Sequence, residues 1–181
     1  MQRLLLFLMA GLAGVVNPNS SGAQPASSGD ASFAPLADEY LAGYLAWRPL
    51  SATALGLHEY DGKITDFSRA SLDAELQRLR GFDQRLAQFP TKTLSARAFY
   101  DFRILRASIC KERFEFEDLQ THRRNPMAYA GALDVNVYVK REFAPLPQRV
   151  RAVTAILQQA PRIMAAARSN VSPMAALSAA I

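Results

Sequence analysis

Residues 94–121, LSARAFYDFRILRASICKERFEFEDLQT, decide the fold. Leu94, Ala98, Phe102, Leu105, Ile109, Phe116 and Leu119 follow one another at multiples of the helical repeat, so one helix carries a single apolar stripe through the stretch. The missing step falls on Glu112. A carboxylate on a face that is otherwise buried has to pair with an arginine or accept hydrogen bonds, or its pKa would rise. Asn125-Pro126 sets the stop, because the residue before a proline is pushed out of helical backbone.

The same period recurs on both sides. Leu72, Leu76, Leu79, Phe82, Leu86 and Phe89 predict a helix with Asp66 or Ser68 as N-cap and Pro90 as its close. Phe33, Leu36, Ala37, Tyr40, Leu41, Tyr44, Leu45 and Trp47 predict another, ended by Pro49. A short helix is expected over 50–57, then a loop over 58–66 in which Asp61-Gly62 is a turn dipeptide. Further on, Val135, Val137 and Val139 alternate with Asn136, Tyr138 and Lys140 as a strand would. One strand has no partner for its backbone donors, so a short helix or irregular segment is expected there instead. Pro145 and Pro147 open a helix that runs through Arg168 with a kink at Pro161. Ser172 and Pro173 open a last helix that reaches Ile181 without a cap. The fold class is all-α, an irregular array of helices, and the uncapped apolar end is what an incomplete N-terminal part of a larger helical domain would leave.

The 181 residues are 50% apolar and 20% charged, with one cysteine, which rules out a disordered tail and a disulfide-stapled mini-protein. Arg3 followed by the uncharged run Leu4–Val16 and a Ser-, Pro-, Gly- and Ala-rich segment reads as a signal peptide over 1–23, cut after Ala23. Thirteen apolar residues are too few to cross about 30 Å of hydrocarbon. Val15 stands where a lipoprotein signal needs cysteine, so the mature chain is expected to be exported, periplasmic or extracellular, without a membrane anchor. Residues 24–32 are assigned to a flexible linker and 33–181 to the helical domain. The net charge of +5 is scattered, and its densest run, His122-Arg123-Arg124, reads as a solvated helix end; nucleic acid is not an expected partner.

No complete catalytic constellation is present. His58-Glu59 begins like the helical zinc motif, but Gly62 stands where the second histidine is required. Asp118 and His122 lie four apart and offer two ligands where zinc takes three or more. Glu115, Glu117 and Asp118 read as a solvated acidic face, with Glu112 the exception, and Cys110 as a buried, inert thiol. No nucleophile elbow and no Gly-rich phosphate cradle occur. No catalytic or metal-ligating residue is assigned within the chain.

Asp38-Glu39-Tyr40 with Trp47-Arg48-Pro49, then Ala52-Thr53-Ala54-Leu55-Gly56-Leu57-His58-Glu59-Tyr60-Asp61, resemble the opening of the bacterial family called domain of unknown function 885. Arg124-Asn125-Pro126 with Tyr129, the run Arg141-Glu142-Phe143-Ala144-Pro145-Leu146, and Pro161 with Ala167-Arg168-Ser169-Asn170 resemble its next landmarks. The likeness spans residues 33–181. Members of that family are much longer, mostly helical, often exported, and carry far downstream a His-Glu-x-x-His motif resembling zinc peptidases. The resemblance therefore implies the N-terminal helical segment of an exported zinc-dependent hydrolase, a peptidase, whose zinc and catalytic motif lie beyond Ile181. Its implied partners are the remaining C-terminal part of the same protein and a peptide substrate.

Within this chain the element Gly56-x-His58-x-Tyr60-Asp61 supplies the substrate-binding candidates His58, Tyr60 and Asp61. On one reading the loop reaches the cleft and His58 and Tyr60 donate hydrogen bonds to substrate or to a developing oxyanion. On the other, Asp61 and Gly62 make a turn while His58 and Tyr60 satisfy backbone groups. The rival to the hydrolase reading as a whole is a small periplasmic all-helical module that binds a ligand or partner without catalysis.

Overall fold

A computed structural model describes residues 28–171 of the protein. The signal peptide assigned to 1–23 and the last helix expected from Ser172 lie outside the described residues. All regular structure among the described residues is helical, and no strand occurs. In chain order the helices are α1 (Ser28–Trp47), α2 (Pro49–Ala54), α3 (Arg69–Ala87), α4 (Ala96–Glu117), α5 (Thr121–Arg124), α6 (Met127–Gly131), α7 (Asn136–Lys140), α8 (Leu146–Gln158) and α9 (Ala160–Asn170). Short 3-10 turns lie at His58–Tyr60 and Thr91–Thr93.

α1, α3 and α4 build the first core from the stripes read in the sequence. Phe33, Leu36 and Tyr40 meet Leu79, Phe82 and Leu86 and then Phe102, Leu105 and Ile109. Leu79 and Ile109 are fully buried, and each side chain so removed from water stabilises the fold by about 1.5–3 kcal/mol. Ser68 and Ser95 cap α3 and α4 by accepting the N–H of Ser71 and Ala98, each at 3.3 Å.

α1 begins at Ser28, so residues 28–32, assigned above to the linker, are its first turn. The reason is tertiary. The Asp30 carboxylate accepts the N–H of Ser95 at 2.8 Å, and Gly29 packs so closely that a Cβ there would collide with Thr93. Both anchors fasten the start of α1 to the entrance of α4. Pro35 sits inside α1 without disrupting the core, since it and Ala31, whose carbonyl loses its helical donor, are both exposed.

The second core gathers Ile64, Phe67, Leu72, Tyr129, Tyr138, Ala152, Ile156 and Ile163. The valine alternation of 135–139 is helical here, with Tyr138 buried and Val139 exposed. The kink expected at Pro161 is a break: α8 ends at Gln158 and α9 starts at Ala160, with Pro161 in its first turn. Proline has no N–H and its ring collides with the carbonyl four residues back, so a new helix start satisfies it better than a bend. Cys110 is exposed, not buried. On a helix of 3.6 residues per turn it lies past Ile109 on the side turned from the stripe. Phe116 packs against both cores and Trp47 against the second, so the end of α1 and the end of α4 form their seam.

Candidate functional site

Three arrangements of polar and aromatic side chains stand out among the described residues. The first is a buried polar clasp joining α1, α3 and α4. Glu112, 4% exposed, accepts the Tyr40 hydroxyl at 2.5 Å and Arg48 Nη2 at 2.6 Å. Glu75, 3% exposed, accepts Arg78 Nε at 2.7 Å and Nη2 at 2.9 Å, with Arg48 Nη1 at 3.4 Å. Two carboxylates thus face two guanidiniums, and the Arg48 plane also lies 4.3 Å from the Tyr44 ring centroid and 4.8 Å from that of Trp47. Burial, and next the hydrogen bond given to Glu112, push the Tyr40 phenol well above its ordinary range. The expectation for Glu112 is met: it is buried, and it has both an arginine and a hydroxyl donor. Glu75 and Arg48 were not singled out. Glu75 lies on the stripe of Leu72, Leu79, Phe82 and Leu86, three residues after the first of them, but Leu76 beside it completes the apolar pattern without it.

The second arrangement is the loop after α2. Gly56, at φ 92°, closes α2 as its left-handed cap, with its N–H on Thr53 O at 2.9 Å and that of Leu57 on Ala52 O at 3.0 Å. His58 and Asp61 come together, with Nδ1 3.3 Å from the carboxylate, and the imidazole stacks on Phe143 at 3.9 Å between centroids. Tyr60 turns elsewhere, with the Lys63 ammonium 5.2 Å from its ring centroid. Gly62, at φ 76°, ends the loop under load from three sides. Its N–H donates to the Tyr138 hydroxyl at 3.1 Å, its carbonyl accepts Gln159 Nε2 at 3.1 Å, and a Cβ on it would lie 3.2 Å from that of Ala155. Arg141 Nη1 binds Ala54 O at 2.7 Å beside this loop.

The third arrangement is a cavity of about 290 Å³ between the end of α1, α2, α4 and α5–α6. Trp47, Phe67 and Phe116 supply its aromatic walls, and Arg48, Thr121 and His122 are among its polar ones. The run His122-Arg123-Arg124, read as a solvated helix end, is solvated only in its arginines. His122 is half-buried with its ring 5.5 Å from Phe116. Burial first, and the charges of Arg69 and Arg123 after it, hold its imidazole below the ordinary range. Its carbonyl accepts the Tyr129 hydroxyl at 2.5 Å. His58, Tyr60 and Asp61 do not line this cavity.

No group of three or more His, Cys, Asp or Glu side chains that could hold a metal ion occurs among the described residues. The described residues therefore supply no ligand set for the zinc that the resemblance implies. Glu115 and Glu117 are half-buried and paired, Glu115 with Lys111 at 2.8 Å and Glu117 with Arg80 at 2.7 Å.

The described residues thus form an all-helical body tied by a buried charge clasp, with a mixed aromatic cavity at its seam. The chain belongs to the family of bacterial proteins of unknown function DUF885, whose model matches residues 49–179. It is similar to the solved structure of a candidate lipoprotein of unknown function from Shewanella oneidensis, at 25% identity and a TM-score of 0.68 over 77% of this chain. The chain spans about a quarter of that protein's length, 26%. No curated protein matches it. No helix among the described residues is long and apolar enough to cross a membrane.

Proposed function

We propose that this chain is the N-terminal helical segment of an exported zinc-dependent hydrolase, a peptidase, in which it forms one wall of the cleft. The zinc and the catalytic motif are supplied by the remaining C-terminal part of the same protein. The observation that carries this reading is a second apolar line on α8. Ala152 and Ile156 face the core, while Leu146, Val150 and Leu157, at 62%, 51% and 51% exposure, share another side of the same helix. Val153, between them on that side, packs against the second core, so the three exposed side chains form its outer margin, and apolar side chains grouped in water are a surface for further structure. Export is supported by the arginine-led leucine run at residue 3 and by the description of the Shewanella relative as a candidate lipoprotein. His58, Tyr60 and Asp61 are the substrate-facing residues of this wall, held in place by the pinning of Gly62.

The experiment is peptide hydrolysis by the longer protein carrying the downstream His-Glu-x-x-His motif, with and without a zinc chelator. Loss of activity on chelation, with residues 24–181 inactive alone, is the expected result. Hydrolysis that survives chelation rejects the zinc assignment, and hydrolysis by the segment alone rejects its role as a wall. The second reading, a small periplasmic all-helical module that binds a ligand or partner without catalysis, is favoured by the cavity at the seam; it predicts ligand binding by residues 24–181 themselves and no hydrolysis.

A further inference from the structure

We infer that the cavity walled by Trp47, Phe67 and Phe116 is a subsite for a neutral aromatic side chain of a peptide. This rests on the peptidase reading for the identity of the ligand, and on the following geometry for its chemistry. The Trp47 ring centroid lies 5.7 Å from Phe116 and 6.1 Å from Phe67. The three rings line one space of about 290 Å³, and a further ring packed against them gains beyond its simple burial.

The charged groups at the wall are already engaged. Arg48 is held by Glu112 and Glu75, and Glu115 by Lys111. The Trp47 indole N–H is spent on Ser71 Oγ at 3.2 Å. An added charge would therefore find no uncompensated partner and would lose its hydration. The remaining polar groups are uncharged. The side chains of Ser51, Thr65, Thr121 and His122 line the cavity and make no hydrogen bond to another described residue. Three hydroxyls and an imidazole kept neutral by burial can donate to or accept from the amide groups that flank a peptide side chain. The pattern of aromatic walls, no free charge and several free hydrogen-bonding groups matches a ring carried between two amides.

Trp47 is the chain's only tryptophan, so its emission reads the cavity directly. The test titrates the protein with N-acetylphenylalaninamide, with N-acetylleucinamide, and with N-acetylphenylalanine, which adds a carboxylate. The first is expected to give a saturable change in emission, with affinity at least tenfold above the other two, and Ala128→Phe, which fills the cavity from its lining, is expected to abolish it. Ser51→Phe, at an exposed position of the lining, is the second filling variant and decides the matter if the first does not fold. Absence of a saturable change, equal affinity for the leucine or carboxylate compound, or an undiminished response in a folded filling variant overturns the inference. The reading uses neither hydrolysis nor metal, so its failure is separate from failure of the chelation experiment.

Discussion

Arg48 Nη2 lies 2.6 Å from Glu112 Oε2 across 64 residues of chain, and its other terminal nitrogen reaches Glu75 on a third helix. One guanidinium therefore compensates parts of two buried carboxylates, while Arg78 compensates the rest of one of them. The asymmetry sets what substitution does.

Arg48→Met leaves Glu112 with only hydroxyl donors, Tyr40 and, at 3.5 Å, Ser108. Breaking a buried pair from one side costs about 3 kcal/mol, to be read as a fall in the denaturant midpoint with unchanged slope. The double variant Arg48→Met with Glu112→Leu removes both charges and keeps the Glu75–Arg78 pair, so it is expected to recover most of the loss. A double variant no better than the single one would deny the clasp its electrostatic character.

The Tyr40 phenol is raised in the folded state by burial and by Glu112. The unfolded chain therefore loses this proton first, and the contribution is complete below about pH 10 and is lost as pH rises through the folded value. Thermal melts at pH 9 and pH 11 should separate more for the parent protein than for Tyr40→Phe; equal separations would contradict the burial.

His122 behaves in the opposite sense. Its folded imidazole is lowered, so the unfolded chain takes up the proton first and stability declines as pH falls below about 6.5. The decline levels off once the folded imidazole is protonated too. Following the His122 ring protons by NMR gives the folded value directly, and a midpoint at or above that of a free histidine would refute the assignment. His122→Gln should flatten the melting temperature between pH 7.5 and pH 5.5.

Gly62→Ala places a Cβ at φ 76° and 3.2 Å from Ala155. The left-handed backbone alone costs about 1–2 kcal/mol. Tyr138→Phe removes the hydroxyl that accepts the Gly62 N–H and costs about 1 kcal/mol. Hydrogen exchange should show the Gly62 amide deprotected in Tyr138→Phe while amides of α3 keep their protection. Uniform deprotection would mean that the loop is not separately pinned.

The first core was legible in the sequence because each of its helices carries one stripe with a cap or stop beside it, as in Ser68 and Ser95 with their helices. Glu112 was legible for the same reason, a carboxylate at the vacant step of a stripe. Its partner was not, since periodicity identifies a face but not which residue of another helix meets it. Arg48 entered only as part of the Trp47-Arg48-Pro49 landmark. The start of α1 was hidden because Gly29 and Asp30 read as linker residues until Thr93 and Ser95 are brought against them. Residues 127–142 were ambiguous because their valines alternate like a strand; the lack of a partner strand turned the expectation to a short helix or irregular segment, and the burial of Tyr138 among Phe67, Tyr129 and Ile156 settles the helical backbone. Gly62 was readable as a turn former after Asp61, whereas Gly56 fell inside the helix expected over 50–57 and instead closes it at Ala54, and the stacking of His58 on Phe143 depends on a residue 85 positions away and left no local trace.

The two cores also differ in when they become possible. Every buried member of the first lies between Phe33 and Ile109, and Glu112 follows three residues later, whereas the second waits for Ile156 and Ile163. A polypeptide emerging N-terminus first thus has its three long helices and their clasp available before the α8–α9 residues have left the ribosome. The nascent first half can serve as a template on which the later, shorter helices condense, and mutations in the clasp should delay maturation more than equally destabilising ones around Ile163.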